Sequence, residues 1–246
     1  MKKALKTLVL LVITSLFLLS GCKIVDSIDG SENIVEKTYD YKYFNNIETS
    51  HSFNTTIIQS DEYKIIIKYN DNLKDYLDVN MKDNTLNIGL LDGNSYNNTQ
   101  LTAEIYLPAI NKIKASGACS INIPQYSSNN LEVELSGSSV FNGKLNLTNN
   151  LSIEASGSSD IDLKGSTQNA KLQFSGATKL AGKDMVIDKK LTIDCSGSSS
   201  ILLTVNGEIN AELSGASTFN YYGNGVLVTK DVSGASSIKK LTTNKE

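Results

Sequence analysis

The side chains of this chain able to do chemistry fall into three sets: carboxylates at a fixed interval, three cysteines and a single histidine. Glu134, Glu154, Asp194, Glu212 and Asp231 each stand two positions before a serine, and Lys114 and Gln173 occupy the same place in two further segments. If those segments stack in register, the five carboxylates line one outward stripe, where like charges about 5 Å apart repel unless water, lysine or a cation intervenes. Calcium accepts such oxygens but needs about six to eight that converge. The five are therefore cation candidates only where they come together; otherwise the stripe is a solvated acidic face. No metal or other cofactor is expected.

His51 stands alone and reads as a surface or turn residue. Cys119 and Cys195 have no CxxC spacing that would suggest a metal or redox pair. The third cysteine, Cys22, closes a segment of different character. Lys2, Lys3 and Lys6 form a basic start, Leu8 to Leu19 an apolar run too short to span a membrane, and Leu19-Ser20-Gly21-Cys22 resembles the bacterial lipobox. Residues 1–21 are thus expected to be a lipoprotein signal peptide and Cys22 a lipidated first residue. Acyl chains would hold the protein at a membrane face without spanning it.

Removing 1–21 takes three lysines away and moves the net charge from −3 to −6, which argues against nucleic acid as a partner. The chain has no arginine and no tryptophan, so it lacks the bidentate fork for carboxylate and phosphate and the best platform for sugars. Tyrosines remain for that role, with Tyr126, Tyr221 and Tyr222 as candidates.

The elements that must position these groups are repeats. A Ser-Gly-Ala or Ser-Gly-Ser step occurs seven times, with its glycine at Gly117, Gly137, Gly157, Gly176, Gly197, Gly215 and Gly234, at spacings of 20, 20, 19, 21, 18 and 19 residues. Counted from each serine, positions −5, −3 and −1 are apolar in most units and −4 and −2 polar, as in Leu131, Val133 and Leu135 around Glu132 and Glu134. That alternation gives a strand with one buried and one wet face. Position +5 is apolar in all seven, so a second strand leaves the step at an angle, while pairs such as Asn129-Asn130 and Asn149-Asn150 mark another corner.

Short strands joined by small-residue corners at a constant period describe coils of a parallel β-helix. An antiparallel meander would also repeat turn signals, but the unit is too long for one hairpin arm and the same residue types recur at the same offset. About seven coils of 18–21 residues at ~4.8 Å each make a rod of roughly 34 Å. On it Cys119 and Cys195 lie four coils apart, about 19 Å, too far to pair. Serine or threonine at +3 in six units predicts a hydroxyl ladder at the corner. Lys230 and Lys240 fall at inward positions of the last coil and predict an end cap.

Before the repeats, candidate strands are Phe53 to Gln59, Tyr63 to Tyr69, Leu77 to Met81, Thr85 to Leu90 and Leu101 to Leu107, with a short turn within Asp71 to Asp78. The expected organisation is signal peptide 1–21, lipidated Cys22 and tether 22–38, β-rich N-terminal portion 39–110, repeat coils 111–240 and C-terminal tail 241–246.

The recurring SGA/SGS step after an alternating strand, the segment LTAEIYLPAINKIKASGA, the β-rich lead-in and the lipobox together resemble the bacterial family of the head GIN domain of putative auto-transporter adhesins, over roughly Phe44 to Ile238. The resemblance implies a single-stranded right-handed parallel β-helix and an envelope location. No autotransporter barrel pattern is present, so display would rely on Cys22.

The preferred reading is a lipid-anchored, extracytoplasmic module on the cell membrane or outer membrane that binds a surface polysaccharide or cell-wall component without catalysis. An alternative is a structural or sensory envelope protein that docks on a membrane protein or on itself. A polysaccharide-degrading enzyme is disfavoured, since β-helix enzymes need clustered carboxylates with Ca²⁺ or a paired acid and base. The oligomeric state is left open.

Overall fold

The computed structural model describes residues 27–242. Residues 1–26, on which the expected signal peptide and the expected lipidation at Cys22 fall, and residues 243–246 lie outside the described residues. Strands before the repeats are β1 (Ser27–Asp29), β2 (Ile34–Tyr39), β3 (Asn46–Thr49), β4 (Asn54–Gln59), β5 (Lys64–Asn70), β6 (Leu77–Lys82), β7 (Thr85–Leu90), β8 (Ser95–Asn97) and β9 (Thr102–Leu107), with a 3-10 turn at Asp71–Tyr76. The repeats form β10 (Lys112–Ala115), β11 (Ser120–Leu135), β12 (Val140–Gly157), β13 (Asp160–Gly176), β14 (Lys179–Gly197), β15 (Ser200–Val205), β16 (Glu208–Leu213), β17 (Thr218–Tyr222), β18 (Val226–Val232) and β19 (Ser237–Lys240).

Successive units pair in parallel and in register, which makes the repeat region a β-solenoid. Leu131 pairs with Leu151, Leu151 with Ala170, Ala170 with Leu191 and Leu191 with Ile209. From Leu131 through Leu213 the inward positions −5, −3 and −1 are buried. Each coil has a first wall before the Ser-Gly corner, a second wall from +4 onward, and a short third wall, where Tyr126 pairs with Leu145 and Met185 with Gly165. Seven corners bound about six turns, one fewer than the expected number of coils, because a turn closes only between one corner and the next.

The corner explains its own sequence. All seven glycines have φ between +68° and +103°, a region closed to most L-residues. The N–H of position +2 donates to the glycine carbonyl of the preceding coil at 2.7–2.8 Å, from Ser138 to Gly117 through to Ala235 to Gly215. A Cβ on Gly176 would lie 2.4 Å from the Gly157 oxygen. Glycine is thus required twice, by its dihedral and by the close approach of the coil below.

Position +3 points inward and the hydroxyl ladder runs inside the corner, with Ser139, Ser159, Thr178, Ser199 and Ser217 all buried. Ser139 Oγ donates to the Ser136 carbonyl at 2.9 Å and Ser217 Oγ to that of Ser214 at 3.2 Å. The three hydroxyls between them, Ser159, Thr178 and Ser199, have no partner among the described residues.

The lead-in stacks out of sequence order. β3 and β4 form a coil that lies between the β7/β9 coil and the first repeat, since β3 pairs with both β7 and β10, and β4 with both β9 and β11. Beneath it, β6 closes β7, and β5 and then β2 close β9, all antiparallel. The stretch 27–38, expected within the tether, is a correction: its β1 pairs with β8 and β2 with β5. Asp71 accepts from Ser31 Oγ at 2.5 Å and Asn33 Nδ2 at 2.8 Å, which pins the segment to the 3-10 turn. A polar string of this kind has no apolar period and hides in a sequence.

At the other end both lysines stand at the expected register and are exposed. Lys230 pairs with buried Ala211, and Lys240 with Tyr221, its Nζ 6.0 Å from the ring centroid. A register shift beside Thr229 bulges β18, and bulges at a sheet edge discourage edge-to-edge growth.

These corners generate a paired prediction. Gly176→Ala should destabilise the protein by at least about 2 kcal/mol through strain at positive φ and overlap with Gly157, whereas Thr178→Val, which removes a buried unpaired hydroxyl at constant shape, should be neutral or stabilising by about 1 kcal/mol. Chemical denaturation midpoints check both; equal losses would contradict the account of the corner.

Candidate functional site

Three columns in register cross the outward side of the first wall. Position −2 is the expected stripe: Lys114, Glu134, Glu154, Gln173, Asp194, Glu212 and Asp231 pair coil to coil, extended backward by Glu48. Position −4 carries Lys112, Glu132, Ser152, Lys171, Thr192 and Asn210. The outermost column holds Asn130, Asn150, Asn169, Lys190 and Glu208.

The carboxylates are in register but do not converge. Lys112 Nζ sits 3.0 Å from Glu132 and 2.5 Å from Glu134, and Lys114 Nζ 2.9 Å from Glu48. The two glutamates beside Lys112 push its ammonium above the usual lysine range. The repulsion expected along the stripe is thus relieved by lysine in its first coils, while Asp194, Glu212 and Asp231 stay solvated. Among the described residues no three of His, Cys, Asp and Glu group as a metal centre would require.

The asparagines expected only as corner markers form a ladder. Asn150 Nδ2 donates to Asn130 Oδ1 at 2.8 Å and Asn169 Nδ2 to Asn150 Oδ1 at 3.1 Å. Asn150 and Asn169 both point their amide nitrogen toward the coil below. Above Asn169 the column changes to Lys190, and there the surface dips into a trough of about 420 Å³ lined by Asn150, Ser152, Asn169, Lys171, Lys190 and Thr192 among others. Two concavities on the carboxylate stripe, of about 180 and 170 Å³, are smaller. Only the first reaches the roughly 300–1,000 Å³ of typical ligand sites.

The tyrosine candidates need correction. Tyr126 is fully buried, its hydroxyl donating to the Ile110 carbonyl at 2.8 Å and accepting from the Ile110 N–H at 2.7 Å. Tyr221 is buried against Phe219 with ring centroids 5.4 Å apart. Both face the core because their column is inward. Tyr222 is half-buried with Lys183 Nζ 5.3 Å from its ring.

His51 takes a role the sequence did not reveal. It and Ser52 have φ of 57° and 63°, and they stand where the next coil has Gly117 and Ala118, since Ser116 N–H donates to the Thr49 carbonyl. His51 Nδ1 lies 2.8 Å from Ser50 Oγ and accepts from the Leu90 N–H at 3.3 Å, so the ring ties the β3/β4 corner to the end of β7. Its Nε2 is 3.5 Å from the exposed Asp92 carboxylate.

Cys119 and Cys195 are free and buried. Burial pushes the Cys119 thiol up; burial, with the neighbouring Asp194 charge, pushes Cys195 up to about 12. Only the thiolate is nucleophilic. At pH 8, iodoacetamide should therefore leave Cys119 and Cys195 unlabelled in the native protein and label both after denaturation. Peptide mass mapping checks this, and native labelling of Cys195 would show that its coil opens.

Several crystal structures share the fold. A putative adhesin of Bacteroides fragilis is 24% identical, with TM-score 0.79, over 87% of this chain and 100% of that one. A putative lipid binding protein of Parabacteroides distasonis is 20% identical, with TM-score 0.71, over 88% and 100%. A putative adhesin of Parabacteroides merdae is 18% identical, with TM-score 0.66, over 88% and 100%. No protein of curated function matches the sequence. The family model described as putative auto-transporter adhesin, head GIN domain, matches residues 43–225, which include the β3/β4 coil, the first six glycine corners and the columned wall as far as Glu212, and the chain belongs to that family.

Proposed function

We propose that the chain is a lipid-anchored protein of the cell envelope that binds an extended polymer, a polysaccharide or cell-wall component, along the outer face of its first wall, without catalysis. One observation carries this reading. The three outward columns keep the same register from coil to coil, so polar groups recur at the ~4.8 Å strand spacing. A β-linked sugar advances along its polymer by a similar distance, and successive sugars would meet equivalent groups on successive coils. Contacts that are individually weak then add along the rod.

Anchoring rests on the basic start, the apolar run and the Leu19-Ser20-Gly21-Cys22 box. β1 begins five residues after Cys22 and is tied to the 3-10 turn by Asn72 Nδ2, which donates to the Asp29 carbonyl. Five extended residues reach at most about 17 Å. The antiparallel-capped end would then face the membrane and the lysine-capped end point away from it.

The test is a glycan array probed with the full-length chain in lipid nanodiscs. Retention of defined glycans without released products supports the reading. Released products would make the protein an enzyme, and a co-purified membrane protein with no glycan retained would make it a docking or sensory component.

A further inference from the structure

We infer that the trough above the asparagine ladder is a subsite for an acidic sugar, with Lys171 and Lys190 holding the carboxylate of a uronic acid unit and the ladder amides its hydroxyls. The inference rests on the polymer-binding reading above and names the chemical class of polymer.

Lys171 and Lys190 lie on adjacent coils and adjacent columns, diagonal to one another: Lys171 pairs with Thr192 and Asn169 with Lys190. Elsewhere on this wall the lysines are neutralised, Lys112 by two glutamates and Lys114 by Glu48. Neither Lys171 nor Lys190 enters an ion pair among the described residues, although Glu208 stands one coil above Lys190. No carboxylate lines the trough. In a chain of net charge −3, a concavity with two free ammonium groups and no acid selects an anion.

The ladder adds direction. Asn169 spends its Nδ2 on Asn150 Oδ1 and on the Asn149 carbonyl, so its own Oδ1 is left as an acceptor toward the rung of Lys190. Ser152 and Thr192 place half-buried hydroxyls on the other side of the trough. An acceptor, two hydroxyls and two cations within two coils match a sugar that offers hydroxyl donors on one edge and a carboxylate on the other. The trough has no aromatic lining, so binding depends on charge and weakens with salt rather than on stacking.

The experiment is biolayer interferometry with the full-length chain in nanodiscs of neutral lipid, probed with polygalacturonate, with the same polymer fully methyl-esterified, and with dextran. Lys171→Gln/Lys190→Gln is the test variant and Lys144→Gln/Lys164→Gln, an exposed lysine pair off the first wall, the control. The expected result is retention of polygalacturonate only, lost at least tenfold in the double lysine variant and in raised salt, and not lost in the control. Equal binding of the charged and esterified polymers, or charged binding indifferent to the two lysines, overturns the acidic-sugar subsite and leaves polymer binding standing. Retention of none of the three overturns the subsite as well; a glycan array that is also blank removes the polymer reading with it.

Discussion

The whole structure depends on the contact between one corner and the next, where a backbone N–H meets the carbonyl of a glycine one coil below. That contact admits no side chain, because a Cβ on Gly157, Gly176 or Gly197 would lie 2.4 Å from the oxygen beneath. With the corners locked at this separation, neighbouring strands can pair only in parallel and at constant register. Around each corner every residue at a given offset then stands over its counterpart, and the varying unit length is absorbed by register shifts on the third wall. Parallel pairing normally requires long crossover connections; here the remainder of the coil is the crossover, so the chain needs no helices to return.

Constant register has opposite effects inside and outside. Inside, it turns Leu131, Leu151, Ala170 and Leu191 into a continuous apolar column and buries each wall's inward face on the others. It also forces like onto like at position +3, which leaves three hydroxyls without partners. Outside, the same rule gathers carboxylates into one column and amides into another. Amides satisfy one another, each being donor and acceptor at once, as the Asn130 to Asn169 ladder demonstrates. Carboxylates cannot, so the column survives through lysines placed beside it and through solvent.

What could be read from the sequence follows the same division. The solenoid was legible because the glycine corner is obligatory and the alternation around it has a period of two. β5 to β7 lie within a residue or two of their expected bounds, and the short turn after Tyr69 is the 3-10 turn Asp71–Tyr76. The β3/β4 coil was not legible as a coil, since its corner is Ser50-His51-Ser52 and carries no glycine. Its two residues at positive φ are held by the Leu90 N–H and Ser50 hydroxyl around the imidazole, contacts that exist only once β7 is in place. The register of the acidic column followed from the offsets, but the lysine pairing did not, because it joins position −4 of one coil to −4 and −2 of the next. Tyr126 looked available and is buried, because its column belongs to a third wall whose inward phase no corner announces.

The displaced β3/β4 coil also constrains how the polypeptide can acquire its form. A solenoid in strict chain order could zip from its first coil upward, each new turn templated by the one before. Here the floor on which β3 and β4 rest is made of β7 and β9, which end at Leu107, so a chain emerging from its N-terminus holds that coil unsupported until some fifty further residues have arrived. Nucleation is therefore expected among the regular coils or after closure of this long excursion, at the entropic cost of bringing distant segments together before any local contact rewards it.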